Sequence, residues 1–116
     1  MINRFIIQNI YNDILELSST EIQIKKWITG ETGNISSYIE LMCRLFDDDG
    51  LDEFIERDAF LLGFPDALIK ELSMLRIMLN EFEGEGLTSR EIIASEEWKK
   101  ISEKASTIIK LWPKSK

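Results

Sequence analysis

"ALIKELSMLRIMLNEF", residues 67–82, is apolar around almost its whole circumference when it is drawn as a helix. Its apolar side chains are Leu68, Ile69, Leu72, Met74, Leu75, Ile77, Met78, Leu79 and Phe82. A helix without a broad polar face is usually surrounded by other elements of the fold. The stretch therefore predicts a central helix at about 66–82, against which the rest of the chain packs.

Apolar spacing predicts further helices on both sides of this one. Residues 2–17 carry apolar side chains at intervals of three and four, and residues 35–46 do the same. The clearest stripe belongs to the last helix: Trp98, Ile101, Ala105, Ile108 and Trp112. No run of alternating apolar and polar residues predicts a strand. We therefore predict an all-α fold, a single-domain helical bundle of five to seven helices covering residues 1–116.

Polar residues mark where the predicted helices begin and end. Ser18 with Glu21, and Thr88 with Glu91, have the spacing of a capping box, in which two side chains satisfy the free N–H groups of a helix start. Gly30 and Gly33 with Asn34 predict a loop before the helix that follows.

Composition excludes several classes of function. The chain has 116 residues, a net charge of −7 and no histidine. Without histidine, a Ser-His-Asp or Cys-His site and a zinc site with imidazole ligands are impossible. We predict no catalytic residue, no metal and no cofactor. The negative charge opposes direct binding to nucleic acid, whose phosphates would be repelled.

The pattern of the chain also predicts where the protein works. No apolar stretch approaches the roughly 18 residues of a membrane span, and polar residues interrupt the N-terminal segment. Cys43 is the single cysteine, which excludes an intrachain disulfide, and its neighbour Met42 suggests that it fills the core. We therefore expect a cytoplasmic protein that does not bind membranes.

Acidic residues are concentrated in two segments. "FDDDGLDEFIERD", residues 46–58, has seven carboxylates and one arginine, and residues 81–97 carry a net charge of −5. Concentrated negative charge attracts a basic protein and can occupy a cleft built for phosphates. The sequence therefore suggests that carboxylates contact a partner protein: Asp47, Asp48, Asp49, Asp52, Glu53 and Glu56, with Glu83 and Glu85 as weaker candidates.

The first acidic segment has two other interpretations. A calcium loop with Gly50 at its sixth position would need an oxygen ligand at its first position, where this chain has Leu45. The template therefore fails at its first ligand. The second interpretation is that the charges only solvate a helix surface, which is the common role of charge runs.

Two segments together resemble a known class of proteins. They are "WITGETGNISSYIELMCRLFDDDGLDEFI", residues 27–55, and "LTSREIIASEEWKKISEKASTIIKLW", residues 87–112. The second, with its E-W-x-x-I-x-x-x-A spacing, resembles the C-terminal helices of small bacterial toxin-immunity proteins of the contact-dependent growth inhibition type. The resemblance implies a cytosolic inhibitor without an active site, which binds and neutralises one cognate toxin, such as a basic nuclease.

Two further classes of function remain open from the residues. The chain could be a homo-oligomeric scaffold or adaptor that self-associates through Trp112 and the apolar helix at 67–82. Less favoured is a small-ligand-binding protein or enzyme subunit, which would need a buried carboxylate such as Glu40 or Glu71.

Overall fold

The computed structural model describes residues 4–30 and 37–113. Within these residues the chain forms seven helices and no strand. The predictions of an all-α fold and of five to seven helices are confirmed. The helices are α1 (Arg4–Ser18), α2 (Thr20–Gln23, continuing in π-helical geometry over Ile24–Thr29), α3 (Tyr38–Met42, continuing likewise over Cys43–Asp48), α4 (Leu51–Glu53, then π-helical Phe54–Asp58, then Ala59–Leu61), α5 (Asp66–Glu81), α6 (Ser89–Ala94) and α7 (Glu96–Leu111).

Two of the predicted helix boundaries can be compared with the structure. Thr88 and Glu91 form the predicted capping box at the start of α6, each side chain accepting a hydrogen bond from the other residue's backbone N–H. At the start of α2 the capping residue is Ser19, not Ser18, because the Ser18 hydroxyl donates to the carbonyl of Leu15 within α1. Asn34 lies outside the described residues.

The most extensive packing joins α1 to α7, and α5 packs against the same α7. Ile10, Ile14 and Leu17 of α1 are fully buried, as are Trp98 and Ile108 of α7. These are the residues that intervals of three and four place on one side of each helix. The contact between the first and last helices is therefore a major part of one core, to which the other helices also contribute buried residues.

The helix at 66–81 is enclosed on one side only. Its buried residues are four leucines at intervals of four, three and four: Leu68, Leu72, Leu75 and Leu79. On the other side, Met74 and Ile77 are 40% and 54% exposed. The apolar pattern predicted a surrounded helix, but α5 forms one wall of the bundle. Apolar residues often remain on protein surfaces, so their presence on every face did not require burial on every face.

Aromatic side chains form two clusters within the bundle. Trp98 contacts Trp27, Tyr38 and Phe82 at ring-centroid distances of 5.8, 5.6 and 5.1 Å. Trp112, directly after α7, contacts the rings of Tyr11, Phe54 and Phe64. The tryptophans therefore pack against other rings of the chain, as the positions of Trp98 and Trp112 on the apolar stripe of the last helix predict.

Cys43 is exposed, so the prediction that it fills the core is wrong. Leu41 and Leu45 on either side of it point into the core and are fully buried, which leaves Cys43 on the outer side of α3. None of the helices in the described part of the chain has the length and apolar character needed to span a membrane.

Candidate partner-binding face

The first acidic segment forms one wall of a groove of about 980 Å³. The helix α3 ends at Asp48, Gly50 follows in the turn, and residues of α4 line the groove. Gly50 has a φ of 62°, in the left-handed region that glycine adopts without steric cost. The apolar side chains of Ile6, Phe46, Leu61 and Leu62 also line the groove. The groove therefore pairs negative charge with hydrophobic surface.

Helix dipoles act in opposite directions on the acids of this groove. Asp52 and Glu53 lie in the first turn of α4, where the positive end of the helix dipole stabilises them. Asp47 and Asp48 lie at the C-terminal end of α3, where the negative end of the dipole disfavours carboxylates. Helix stability therefore does not explain the presence of these two aspartates.

Some of the carboxylates predicted to contact a partner already form ion pairs within the chain, and others do not. Asp52 and Glu56 lie 3.4 and 3.1 Å from the guanidinium of Arg76 on α5, and Glu53 lies 3.6 Å from Arg57. Asp47 and Asp48 are exposed and form no salt bridge with any residue that the structure describes. These two carboxylates thus have more capacity for a new cationic partner than the paired acids beside them.

Asp49, unlike Asp47 and Asp48, is buried. It is only 8% exposed, and its backbone N–H donates to the carbonyl of Arg44 at 2.8 Å. Its carboxylate faces that of Asp13 on α1, which lies far away in the sequence. The expectation that Asp49 is a surface contact is therefore not met, because the turn after α3 directs this side chain inward.

The second acidic segment lies beside a shallower groove of about 540 Å³, which Glu83 and Glu85 line together with Tyr38. Phe46 lines both grooves, so the structure brings the two acidic segments onto neighbouring surface. Burial, and then the negative charge of Glu85, raise the pKa of the Tyr38 hydroxyl above its ordinary value. Gly84 packs against this ring, since an added Cβ would lie 2.6 Å from it.

Behind the first groove lies a network of buried polar side chains. Glu16 accepts hydrogen bonds from the Trp27 indole N–H at 2.8 Å, the Arg44 guanidinium at 3.0 Å and the Lys26 ammonium at 3.3 Å. Gln23 donates to two α1 carbonyls and accepts from the Trp98 indole N–H at 2.9 Å. The network ties α1, α2, α3 and α7 together at one end of the bundle.

Sequence reasoning missed this network, although one signal was present. Asp13 and Glu16 lie three residues apart, directly beside Ile14 and Leu17 of the buried face of α1. An acidic residue on the buried side of a helix requires a partner, because an unpaired buried charge is costly. The partner of both, Arg44, is 31 and 28 residues away, so local patterns could not identify it.

Asp13 has the most perturbed carboxyl group of the network. Its Oδ1 accepts a hydrogen bond from Arg44 Nε at 3.3 Å, while its Oδ2 is buried and receives none from a described residue. Burial, followed by the hydrogen bond and the negative charge of Asp49, raises the pKa of Asp13 to about 8 against the opposing effect of Arg44. When the Asp13 carboxyl is protonated, its O–H can donate a hydrogen bond to the Asp49 carboxylate.

A small cavity of about 230 Å³ opens beside Asp13. Its lining consists of polar or charged side chains from α1 and from the end of α3: Asn9, Asn12, Asp13, Arg44, Asp48 and Asp49. Asp48 lines this cavity and the large groove as well, so the two are neighbours.

Glu40 and Glu71, the carboxylates suggested for a ligand-binding or enzyme site, line neither groove nor the small cavity. Glu40 is exposed, and Glu71 is partly exposed and paired with Lys104 of α7. Within residues 4–30 and 37–113, no three or more histidine, cysteine, aspartate or glutamate side chains are arranged to hold a metal ion.

Comparisons with protein-family models, curated proteins and solved structures gave no match to the chain.

Proposed function

We propose that this chain is a cytoplasmic immunity protein, which binds a basic protein toxin and neutralises it through the acidic face around α3 and α4. The proposal is supported by one observation above all. Asp47 and Asp48 are exposed, have no salt bridge within the described chain, and occupy the end of a helix where carboxylates cost stability. Residues that oppose local stability are often retained for function.

The acidic face suits a toxin whose active site binds phosphates, such as a nuclease. Lysine and arginine side chains that hold substrate phosphates would pair with the carboxylates of Asp47, Asp48, Asp52, Glu53 and Glu56, and more weakly with Glu83 and Glu85. Charge pairing of this kind accelerates association and is screened by salt. Leu61 and Leu62, which also line the groove, add hydrophobic contact, which specific interfaces need at their centre.

The biological setting follows from the resemblance to bacterial immunity proteins of contact-dependent growth inhibition systems. In such a setting the inhibitor needs neither an active site nor a cofactor, because it acts by occupying or sealing the toxin's surface. The toxin would be encoded beside this chain in the native locus.

A growth-rescue experiment tests the proposal. The reading frame next to the native gene is expressed in a host cell under an inducible promoter, with and without this chain. We expect growth arrest without the chain and growth with it, together with a one-to-one complex that copurifies. A matched control replaces the chain with the Asp47→Lys/Asp48→Lys double variant, which should rescue less well at equal expression. Failure of the wild-type chain to protect against the neighbouring protein would contradict the proposal.

Self-association is the second candidate, and exposed apolar side chains favour it. Phe60 and Leu61 at the end of α4 are 72% and 67% exposed, and Ile77 on α5 is 54% exposed. Trp112, in contrast, packs on aromatic rings of its own chain. Light scattering at increasing protein concentration distinguishes the two candidates, because a scaffold would form a defined oligomer and the immunity protein alone would remain a monomer.

A further inference from the structure

We propose that the first groove holds a basic amphipathic helix of the partner protein. The apolar side chains of that helix would pack on Phe46, Leu61 and Leu62, and its lysines and arginines would pair with the carboxylates beside them. The inference rests on the proposed function for the identity of the partner, and it adds which element of the toxin the groove recognises.

Three consecutive apolar side chains at the end of α4 are exposed. Phe60, Leu61 and Leu62 are 72%, 67% and 40% exposed. The two leucines line the groove, as do Ile6 and Phe46. A run of exposed apolar residues is unfavourable on a surface that meets only water, and such a run is typical of a surface that contacts another molecule. The groove therefore presents hydrophobic surface that the described part of the chain does not cover.

Carboxylates accompany this hydrophobic surface. The groove is lined by six acidic residues and by one basic residue, Arg57, which is already paired with Glu53 and Asp58. A wholly apolar ligand would take water from these carboxylates without pairing them, which costs free energy. A ligand with lysine or arginine beside its apolar side chains would pair with them instead. Charge complementarity therefore selects a partner that is both apolar and basic.

The same charges oppose a second copy of this chain as the occupant of the groove. In a symmetric dimer through this surface, each groove would face the equivalent groove of the other copy. The exposed acids Asp47, Asp48 and Asp52 would then face carboxylates, and like charges across an interface cost free energy. The groove therefore favours a different protein.

The surroundings of the groove favour a helix as the bound element. Binding by strand addition needs an open sheet edge, and no strand occurs within residues 4–30 and 37–113. Proline-rich segments dock in grooves lined by several aromatic rings, whereas Phe46 is the single aromatic residue among the described residues that line this groove. An amphipathic helix needs a hydrophobic groove, and it presents apolar side chains on one side and charged side chains on the other.

The experiment uses the full-length chain and a synthetic peptide, acetyl-LKKLLKLLKKLLKL-amide, as the probe. Its leucines lie on one side of a helix and its lysines on the other. Calorimetry measures the affinity, and amide chemical shifts in NMR spectra locate the bound peptide. We expect one-to-one binding that weakens as sodium chloride is added, with shifts centred on Phe46, Leu61 and Leu62.

Two control peptides separate the helix pattern from its composition. The first has the same composition, but its leucines are distributed around the whole helix. The second keeps the leucine pattern and has glutamate in place of every lysine. Each should bind about tenfold or more weakly, because the first cannot present one apolar side to the groove and the second meets like charge.

A matched pair of variants tests the hydrophobic contact. Leu61→Ser/Leu62→Ser should weaken binding of the leucine-lysine peptide by about tenfold or more, because two apolar contacts are lost. Met74→Ser/Ile77→Ser changes two exposed apolar side chains of α5 outside the groove and should keep the wild-type affinity. Thermal melting checks that both variants fold. If the first variant melts early, Leu61→Ser alone replaces it in the comparison.

A second pair tests the charge contact. Asp47→Asn/Asp48→Asn should weaken binding and flatten its salt dependence, whereas Glu21→Gln/Glu103→Gln, at exposed positions outside the groove, should change neither.

Three results would overturn the proposal. They are the absence of binding, equal binding of the control peptides, and an unchanged affinity in Leu61→Ser/Leu62→Ser. A wild-type dimer that the same variant dissociates would also overturn it, because a second copy would then cover the leucines. Since the peptide requires no toxin, failure of the peptide to bind would leave the growth-rescue result intact, and the converse also holds.

Discussion

Asp13 combines a structural role with a cost to stability. Its carboxyl accepts a hydrogen bond from Arg44, which connects α1 to α3, but it lies beside the Asp49 carboxylate in a buried setting. The folded state therefore holds a proton that the unfolded chain, with an ordinary aspartate pKa near 3.8, gives up. Between those two pKa values the folded protein binds more protons than the unfolded protein, so the free energy of unfolding falls as the pH rises from about 4 to about 8.

Replacing Asp13 by asparagine tests this linkage. Asparagine keeps an oxygen for Arg44 and offers an amide donor to Asp49 without a charge. We expect Asp13→Asn to melt several degrees above the wild type at pH 8.5, and the difference to shrink toward pH 5, where Asp13 is protonated. Asp47→Asn is the matched control and should show little change with pH. A melting temperature of Asp13→Asn below that of the wild type at pH 8.5 would contradict the assignment of a raised pKa.

Apolar spacing predicted which segments of the chain are helical. It predicted the buried face of α7, but it did not predict which face of α5 is buried. The α7 stripe is buried at Trp98, Ile101, Ala105 and Ile108, as its spacing predicts. In α5, however, apolar residues lie around almost the whole circumference, so spacing could not show which face meets the core. The neighbours that decide this, α7 above all, are separated from α5 in the sequence and are known only from the fold.

A pair of alanine substitutions in α5 tests its one-sided packing. Leu75 is fully buried and Ile77 is 54% exposed, although they are only two residues apart and similar in size. We expect Leu75→Ala to lower the free energy of unfolding by about 2–5 kcal/mol through the cavity that it leaves. Ile77→Ala should change it by roughly 0.5 kcal/mol or less. Chemical denaturation measures both, and equal losses would show that α5 is enclosed on both sides.

The candidate site was likewise predictable in part. Charge clustering identified Asp47 and Asp48 as exposed carboxylates, because a run of acids normally faces solvent. It could not identify Asp49 as buried, since that depends on how the turn at Gly50 orients one side chain toward α1. The cavity beside Asp13 could not be predicted from the sequence either, because it is lined both by Asn9 of α1 and by residues of α3, which is far from α1 in the sequence.

Charge is distributed unevenly over the molecule. The net charge is −7, yet the acids lie mainly around α3, α4 and the segment after α5, while the last helix carries lysines such as Lys99, Lys104 and Lys110. An uneven distribution orients a charged partner before contact, which raises the association rate more than it lowers the dissociation rate. We therefore expect the acidic face, rather than the total charge, to govern association with the proposed toxin.

The most direct test measures the rate constant for association with the proposed toxin by stopped-flow fluorescence over a range of sodium chloride concentrations. Asp47→Lys/Asp48→Lys is compared with Glu21→Lys/Glu103→Lys, which changes the net charge equally at exposed positions outside both grooves and the small cavity. We predict that the first variant associates about tenfold or more slowly at low salt with a flatter salt dependence, that the second stays near the wild-type rate, and that both melt near the wild-type temperature. Equal slowing by the two variants would contradict the claim, because it would mean that total charge alone controls the encounter.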